Sequence, residues 1–201
     1  MDFVRRNPML VTDMDKPEFA EVRLYMKIEI MGYSGSGKST LCRIFSKKYN
    51  IPALHLDTVH FLPNWKVREE SEKQSLVTSF LDNNPESWVI DGNYTKLSYD
   101  RRVKEADIVI QMLFGRLNCL WRCTKRYYAY KGTNRPDVAE GCNEKMDWEF
   151  VKWILWESRT KQARERYKKI QKTYPEKVVV IKNQKQLSQY MKEMGLYKES
   201  V

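Results

Sequence analysis

The sequence predicts an α/β fold in which a parallel β-sheet lies between two layers of helices. Short apolar segments with strand character alternate along the chain with segments of helical periodicity. This alternation is typical of parallel sheets that helices cover on both faces. The first of these strands also runs directly into a glycine-rich turn, which punctuates the chain between a strand and a helix. Five such strands predict a compact three-layer domain.

The elements follow from hydrophobic periodicity and from turn residues. The predicted strands are Met26–Met31, Ala53–Leu56, Trp88–Ile90, Ile108–Phe114 and Lys177–Ile181. The predicted helices are Lys38–Tyr49, Glu70–Leu81, Leu117–Tyr130, Trp148–Ile170 and Gln184–Met194.

The chain is expected to hold one main domain with two additions. Residues 1–25 contain two prolines, several charges and no clear period, and they are interpreted as an N-terminal extension or appendage. The domain is predicted to span residues 26–201. Within it, residues 131–147 are polar and carry Gly132 and Gly141 near their ends, a composition typical of a small mobile lid.

The net charge, the length of the apolar segments and the cysteine content limit the classes of protein to which the chain could belong. The 201 residues carry a net charge of +10, which fits either an ordinary basic protein or one with an anionic partner such as nucleotide phosphates or nucleic acid. No segment reaches the roughly 18 apolar residues that a membrane span needs, so no membrane partner is expected and a cytoplasmic location is predicted. The four scattered cysteines are expected to be reduced core residues and not a zinc site.

The strongest chemical signal is the segment from Gly32 to Ser39, which reads Gly-Tyr-Ser-Gly-Ser-Gly-Lys-Ser. It matches the phosphate-binding P-loop pattern in full and lies between a predicted strand and a predicted helix. Successive main-chain N–H groups of such a loop surround an anion, and the following helix directs its positive end at it. The predicted nucleotide-binding residues are Gly32, Ser34, Gly35, Ser36, Gly37, Lys38, Ser39 and Thr40.

The P-loop predicts ATP and Mg²⁺ as cofactors. Lys38 is expected to reach the β- and γ-phosphates, and the Ser39 hydroxyl to bind Mg²⁺. Asp91 lies between the predicted strand Trp88–Ile90 and Gly92, and it is expected to hold Mg²⁺ or its waters. The alternative for Asp91 is a turn or helix-capping role.

Residues after the second strand are candidates for the acceptor site. Asp57 is expected to bind, orient or deprotonate an acceptor hydroxyl, with helix capping as the alternative. His60 and Trp65 follow in a proline-containing loop. Trp65 is expected either to stack on a substrate ring or to cover the base of its own loop.

Four arginines lie close together in sequence downstream of the fourth strand. Arg116 directly precedes the predicted helix Leu117–Tyr130, Arg122 and Arg126 lie on it, and Arg135 lies in the polar loop after it. Guanidinium groups bind phosphate oxygens through two hydrogen bonds and stabilise a migrating phosphoryl group. Arg122, Arg126 and Arg135 are therefore predicted catalytic residues, together with Lys38 and Asp57; the alternative is a solvated basic face.

From about Met26 to its end, the chain resembles the adenylate-kinase-like P-loop kinases, and more closely the group named DNA topology modulation proteins. The resemblance depends on the P-loop, on His55-Leu56-Asp57, on Asp91-Gly92-Asn93-Tyr94 and on Arg135-Pro136-Asp137. It implies a P-loop NTPase fold with strand order 2-3-1-4-5, ATP as the donor, and Arg122 and Arg126 beside the donor nucleotide.

The chain also departs from this resemblance in its acceptor region. Adenylate kinases carry Asp-Gly-Phe-Pro-Arg where this chain has Asp-Gly-Asn-Tyr-Thr. The arginine that grips the acceptor phosphate is therefore missing. Either Arg102 replaces it, or the acceptor is not a nucleoside monophosphate. The predicted acceptor-binding residues are Asp57, His60, Trp65, Asp91, Tyr94 and Arg102.

The sequence thus predicts an ATP-dependent phosphotransferase that acts on a small acceptor, with a nucleotide or nucleoside as the expected class. Two alternatives remain at this point. One is a nucleotide-dependent, DNA-binding regulator of DNA topology, which the charge of +10 allows. The other is an ATP-binding protein without catalysis. The oligomeric state is not predicted.

Overall fold

The main sheet has five strands, all parallel, and it forms the centre of the molecule. The structure is a computed structural model that describes residues 25–133 and 141–196. Numbered within this sheet, the strands are β1 (Lys27–Gly32), β2 (Ala53–His55), β3 (Trp88–Asp91), β4 (Ile108–Met112) and β5 (Val178–Ile181). Their spatial order is β2-β3-β1-β4-β5. The predicted three-layer α/β fold and the order 2-3-1-4-5 are therefore observed.

A short antiparallel ribbon that the sequence did not predict lies outside this sheet. Phe61–Leu62 pairs with Lys66–Val67, and a single 3₁₀ turn at Pro63–Trp65 joins them. When its two strands are counted along the chain, the order of the main sheet reads 2-5-1-6-7. Asn64 and Trp65 both adopt left-handed backbone angles, with φ of 61° and 62°, and this tight turn reverses the chain.

Eight α-helices are described. They are α1 (Lys38–Tyr49), α2 (Leu56–His60), α3 (Glu70–Asn83), α4 (Tyr99–Glu105), α5 (Arg116–Ala129), α6 (Trp148–Leu155), α7 (Lys161–Thr173) and α8 (Gln184–Glu193). The sequence missed α2 and α4. It also placed Asp57 at the end of a strand, whereas β2 ends at His55 and Asp57 lies in the first turn of α2.

The predicted single helix over Trp148–Ile170 was wrong. A 3₁₀ turn at Glu157–Arg159 separates α6 from α7. The Thr160 side chain caps the new helix by accepting a hydrogen bond from the Ala163 amide, which stabilises a start at this point. Arg159 turns inward and donates to the carbonyls of Ile154 and Phe114, so the break directs a guanidinium into the interior.

The core consists of the central strands and the helix faces packed on both sides of them. Every residue of β3 and β4 is buried, as expected for parallel strands with helices on both faces. All four cysteines are free and buried, which agrees with their predicted place in the core.

A buried ion pair crosses from the sheet to α4. Arg102 and Glu29 are both fully buried, and the Arg102 guanidinium donates to Glu29. Arg102 also donates to the carbonyl oxygens of Leu97 (2.8 Å) and Tyr94 (2.8 Å). Burial raises the pKa of Glu29 to about 7, and the charge of Arg102 opposes that rise. The prediction that Arg102 binds the acceptor is therefore corrected, because its donors are occupied inside the fold.

We expect Arg102→Ala to lower the free energy of unfolding by about 3–5 kcal/mol, because it leaves Glu29 buried without its partner. The measurement is urea denaturation above the Glu29 pKa, where the carboxyl group is ionised. The matched control is Arg101→Ala on the same helix. Arg101 is 37% exposed and pairs with Asp82 and Glu105, so about 0–1 kcal/mol is expected there. Equal effects of the two substitutions would contradict the structural role of Arg102.

Candidate functional site

The glycine-rich loop between β1 and α1 leaves the start of α1 open to a ligand. The N-cap of α1 is Gly37, no side chain caps the helix, and its first turn has no acidic residue. The first N–H groups of a helix have no partner within the helix, and the helix dipole makes this end positive. This end of α1 is therefore suited to bind an anion.

Two glycines let the loop pack closely against α5. A Cβ on Gly35 would lie 2.5 Å from the Cys119 carbonyl oxygen and 2.6 Å from the Cys123 Sγ. A Cβ on Gly37 would lie 2.6 Å from an Arg122 guanidinium nitrogen. Both glycines have left-handed φ angles of 78° and 99°, which only glycine adopts readily. The loop conformation is thus fixed by contact with α5.

The polar side chains of the loop fit a phosphate ligand. The Lys38 ammonium donates to the Tyr33 carbonyl oxygen at 3.2 Å, so its charge lies over the loop itself. Ser36 is buried, and no described residue forms a hydrogen bond with its hydroxyl. The Ser34 hydroxyl lies 3.4 Å from the indole nitrogen of Trp153 on α6. Thr40 is exposed in the first turn of α1.

Ser39 and Asp91 form the pair expected for a magnesium site. The Ser39 hydroxyl donates to Asp91 Oδ2 at 2.8 Å. His55 contacts the other carboxylate oxygen, Oδ1, through its Nδ1. Hydroxyl and carboxylate oxygens are the protein ligands that Mg²⁺ prefers. Ser39 and Asp91 come from α1 and β3, which meet at the carboxyl edge of the sheet, so these two oxygen donors fit this ion.

A second cluster of predicted residues lies along α2 and the segment after β3. The Tyr94 hydroxyl donates to Asp57 Oδ1 at 2.7 Å. Burial raises the pKa of Tyr94, and the charge of Asp57 adds to the effect, so the phenol stays protonated and acts as the donor. Tyr94 also packs on His60, with ring centroids 4.6 Å apart.

His60 is a neutral residue in this cluster. Burial lowers its pKa, and the charge of Lys73 acts in the same direction. No described residue forms a hydrogen bond with its buried Nδ1. The structure therefore brings Asp57, His60 and Tyr94 together, as the prediction for the acceptor site requires.

Trp65 contacts the far end of the predicted lid segment. Its indole nitrogen donates to the Asn143 carbonyl oxygen at 3.0 Å, and its amide donates to Cys142 Sγ at 3.2 Å. The Trp65 ring also packs edge-on against Phe61 in its own loop, with centroids 5.0 Å apart, which favours the interpretation that Trp65 covers that loop. Arg135 and the other residues from 134 to 140 lie outside the described residues, and the predicted role of Arg135 stays a prediction.

The two predicted arginines of α5 differ in their surroundings. Arg122 lies against the P-loop at Gly37 and donates to Gln184 Oε1 at 2.8 Å. Arg126 instead pairs with Glu144 at 3.0 Å. Arg122 is thus placed beside the loop, whereas Arg126 is held by a carboxylate within the predicted lid segment 131–147.

Three residues that shape this region were not among the predicted site residues. Asn93 accepts from the Gly32 amide at 2.9 Å and donates to the Gly32 carbonyl oxygen at 2.5 Å, which ties the first P-loop glycine to the end of β3. Its place in Asp91-Gly92-Asn93-Tyr94 was the available signal. His55 and Cys42 lie next to Asp91; the motif His55-Leu56-Asp57 was the available signal for His55, and no local pattern marks Cys42.

A cavity of about 540 Å³ lies beside the P-loop. Its lining includes Tyr33, Arg116, Arg159 and Arg164, but not Lys38, Ser39 or Asp91. Arg159 lies over the Tyr33 ring, 3.7 Å from its centroid. The cavity is therefore next to the loop and separate from the candidate magnesium ligands.

Comparisons with known proteins find similar structures only. No family model and no curated protein matches the chain, so the resemblance to the topology modulation group stays a prediction. Similar solved structures include a gluconokinase from Sinorhizobium meliloti 1021, with 16% identity, 87% of this chain and 93% of that chain covered, and a TM-score of 0.46. A deoxyadenosine kinase from M. mycoides with bound dATP has 17% identity, 85% and 99% coverage, and a TM-score of 0.46.

An uncharacterized protein from Eubacterium ventriosum ATCC 27560 is also similar, with 14% identity, 85% and 98% coverage, and a TM-score of 0.44. At these identities and overlaps, such likenesses do not indicate what the chain does. Function must therefore be inferred from the side chains themselves.

Among the described residues, no helix is long and apolar enough to cross a membrane.

We expect Ser39→Ala to weaken the dependence of nucleotide binding on Mg²⁺, because it removes the hydroxyl partner of Asp91. The measurement is the increase in Tm caused by ATP, with Mg²⁺ and with EDTA. The parent should gain more stability with Mg²⁺ than with EDTA, and most of this difference should vanish in the variant. The EDTA arm is the internal control, in which both proteins should behave alike. If the Tm increase still depends on Mg²⁺ to the same extent in the variant, Ser39 does not bind this ion.

Proposed function

We propose that the chain is an ATP-dependent phosphotransferase that uses Mg²⁺ and acts on a small acceptor with a free hydroxyl group. The observation that carries this proposal is the uncapped start of α1 next to Lys38 and the Ser39–Asp91 pair. These groups join an anion site, the Lys38 ammonium group and a pair of oxygen ligands for magnesium at one edge of the sheet. Ligand sites in open α/β sheets lie at this carboxyl edge.

The donor side of the proposal assigns each P-loop group a task. The amides around Gly35 and Gly37 bind the terminal phosphates, and Lys38 leaves the Tyr33 carbonyl to pair with them. Thr40, exposed in the first helical turn, borders the same site. Ser39 and Asp91 would hold Mg²⁺, whose positive charge would stabilise the phosphate oxygens. Arg122 supplies a further positive charge beside Gly37.

The acceptor side of the proposal depends on Asp57. The Tyr94 hydroxyl fixes Asp57 Oδ1, and no described residue forms a hydrogen bond with the other oxygen. That oxygen is placed to accept a hydrogen bond from an acceptor hydroxyl and then its proton. A positioned carboxylate of this kind contributes general-base catalysis. The neutral His60 lies against Tyr94 and borders the same site.

Two further arginines complete the proposal. Arg126 would be released from Glu144 when a phosphoryl group competes for its guanidinium, and Arg135, the other predicted catalytic arginine, would act on the same group. Both would add positive charge to the migrating group, where preorganised charge lowers the barrier most. In this proposal, Arg126 stays paired with Glu144 until the donor nucleotide binds.

The structure changes which acceptor class the proposal favours. The sequence suggested that Arg102 replaces the missing arginine that would bind an acceptor phosphate. In the structure, Arg102 is buried and paired with Glu29. With that arginine occupied, the cluster of Asp57, His60 and Tyr94 is suited to a neutral hydroxyl compound. The proposal therefore favours a nucleoside or similar hydroxyl acceptor over a nucleoside monophosphate.

We expect Lys38→Ala to reduce phosphoryl transfer on the order of 10²–10³-fold, because it removes a cation that stabilises developing charge. The measurement is ADP release across a panel of nucleosides, nucleoside monophosphates and small hydroxyl compounds. Lys48→Ala is the matched control, since Lys48 is exposed in the last turn of the same helix. Unchanged turnover in Lys38→Ala would end the proposal, and ATP binding without ADP release from any acceptor would indicate a binding protein without catalysis.

We expect Asp57→Asn to slow transfer by about 10²–10⁴-fold while ATP affinity stays the same, because it removes the base and keeps a Tyr94 hydrogen-bond acceptor. Single-turnover kinetics and calorimetric ATP titration measure the two quantities separately. Asp100→Asn, at an exposed position of α4, is the control. A loss of ATP affinity equal to the loss of rate would place Asp57 on the donor side.

A further inference from the structure

Three side chains near the end of β3 offer metal ligands that the proposed reaction does not use together. Cys42 comes from α1, His55 ends β2 and Asp91 ends β3. The ligand atoms of these residues all lie within 4.8 Å of one another. The parallel register pairs His55 directly with Asp91, and Cys42 lies three residues after Ser39 on α1, so it lies on the same side of that helix.

The chemistry of this set differs from that of the Ser39–Asp91 pair. A thiolate, an imidazole nitrogen and a carboxylate oxygen are the ligands typical of Zn²⁺ and similar borderline-soft ions, whereas Mg²⁺ takes oxygen. Tetrahedral zinc at about 2.0–2.3 Å from each ligand needs ligand atoms about 3.3–3.8 Å apart. All three ligand atoms lie within 4.8 Å of one another; to reach the tetrahedral spacing, His55 Nδ1 and Asp91 Oδ1, which now contact each other, must move apart.

The surroundings also favour a preformed site. Cys42 is fully buried and Asp91 is 4% exposed, while the His55 side chain keeps 14% exposure. The His55 Nδ1 already contacts Asp91 Oδ1, so a metal ion would replace the proton between these two atoms. The weak contact from Cys42 Sγ to the Val89 carbonyl oxygen, at 3.7 Å, fixes the thiol beside them. These contacts already restrict the side chains of His55, Asp91 and Cys42, so little conformational entropy is lost when a metal ion binds.

We propose that Cys42, His55 and Asp91 form a binding site for a Zn²⁺-class divalent cation, with a water or another small ligand in the fourth position. Asp91 cannot serve this ion and Mg²⁺ in the same way at once, so binding of the soft cation opposes binding of ATP with Mg²⁺. This second statement rests on the proposed function, whereas the site itself does not. Because the ligands must lose protons, affinity for the ion increases with pH.

The test is titration of the full-length, chelator-treated protein with Co²⁺, a spectroscopic substitute for Zn²⁺. Stoichiometric binding should produce the thiolate-to-cobalt charge-transfer band and the intense visible bands of a tetrahedral ion. Both should be lost in Cys42→Ser and in His55→Gln. Cys142→Ser is the matched control, since this buried cysteine contacts Leu62 and Trp65 instead, and it should keep both bands.

The outcomes separate this site from the kinase proposal. Absence of a charge-transfer band in the parent overturns the site, and so does a band that persists in Cys42→Ser. Circular dichroism shows which variants fold, and either of the two ligand variants is sufficient if it folds. ATP with Mg²⁺ should then displace Co²⁺ from the parent. If ATP does not bind at all, the proposed function fails while the cobalt spectrum still reports on the site.

Discussion

The structure depends on a loop that must expose main-chain amides and still be rigid. Anion binding at the start of α1 requires N–H groups with no protein partner, and such groups are costly when they are buried without a ligand. The chain meets this constraint by packing the loop from three sides. Asn93 ties Gly32 to the end of β3, Cys119 and Cys123 support Gly35 from α5, and Trp153 reaches Ser34 from α6.

The same packing places the chemical groups. Since β3 lies between β1 and β2 and all three are parallel, the residues at their carboxyl ends meet at the loop. His55 and Asp91 arrive there by register, and Ser39 arrives because α1 starts from the loop. The buried pair of Glu29 and Arg102 lies below this edge and joins β1 to α4. Its role is to hold the scaffold on which the proposed donor and acceptor groups are mounted.

The parts of the site that the sequence predicted are those set by contiguous residues. The P-loop is local, so Gly32 to Ser39 could be identified with its strand and helix, and Asp91 followed from an apolar strand that ends in a carboxylate. Contacts between distant segments could not be predicted in this way. The partner of Arg102 is 73 residues away in sequence, and that of Arg126 is on a segment beyond α5. Without those partners, both arginines looked available for phosphate. The break between α6 and α7 was missed because the helical period continues across Thr160.

The central claim is that the amides at the start of α1, together with Lys38, bind the phosphates of a nucleoside triphosphate. Isothermal titration calorimetry of the purified chain with ATP in the presence of Mg²⁺ tests it most directly. The structure predicts saturable heat with one nucleotide per chain. Absence of any heat with ATP, and likewise with GTP, under these conditions would contradict it.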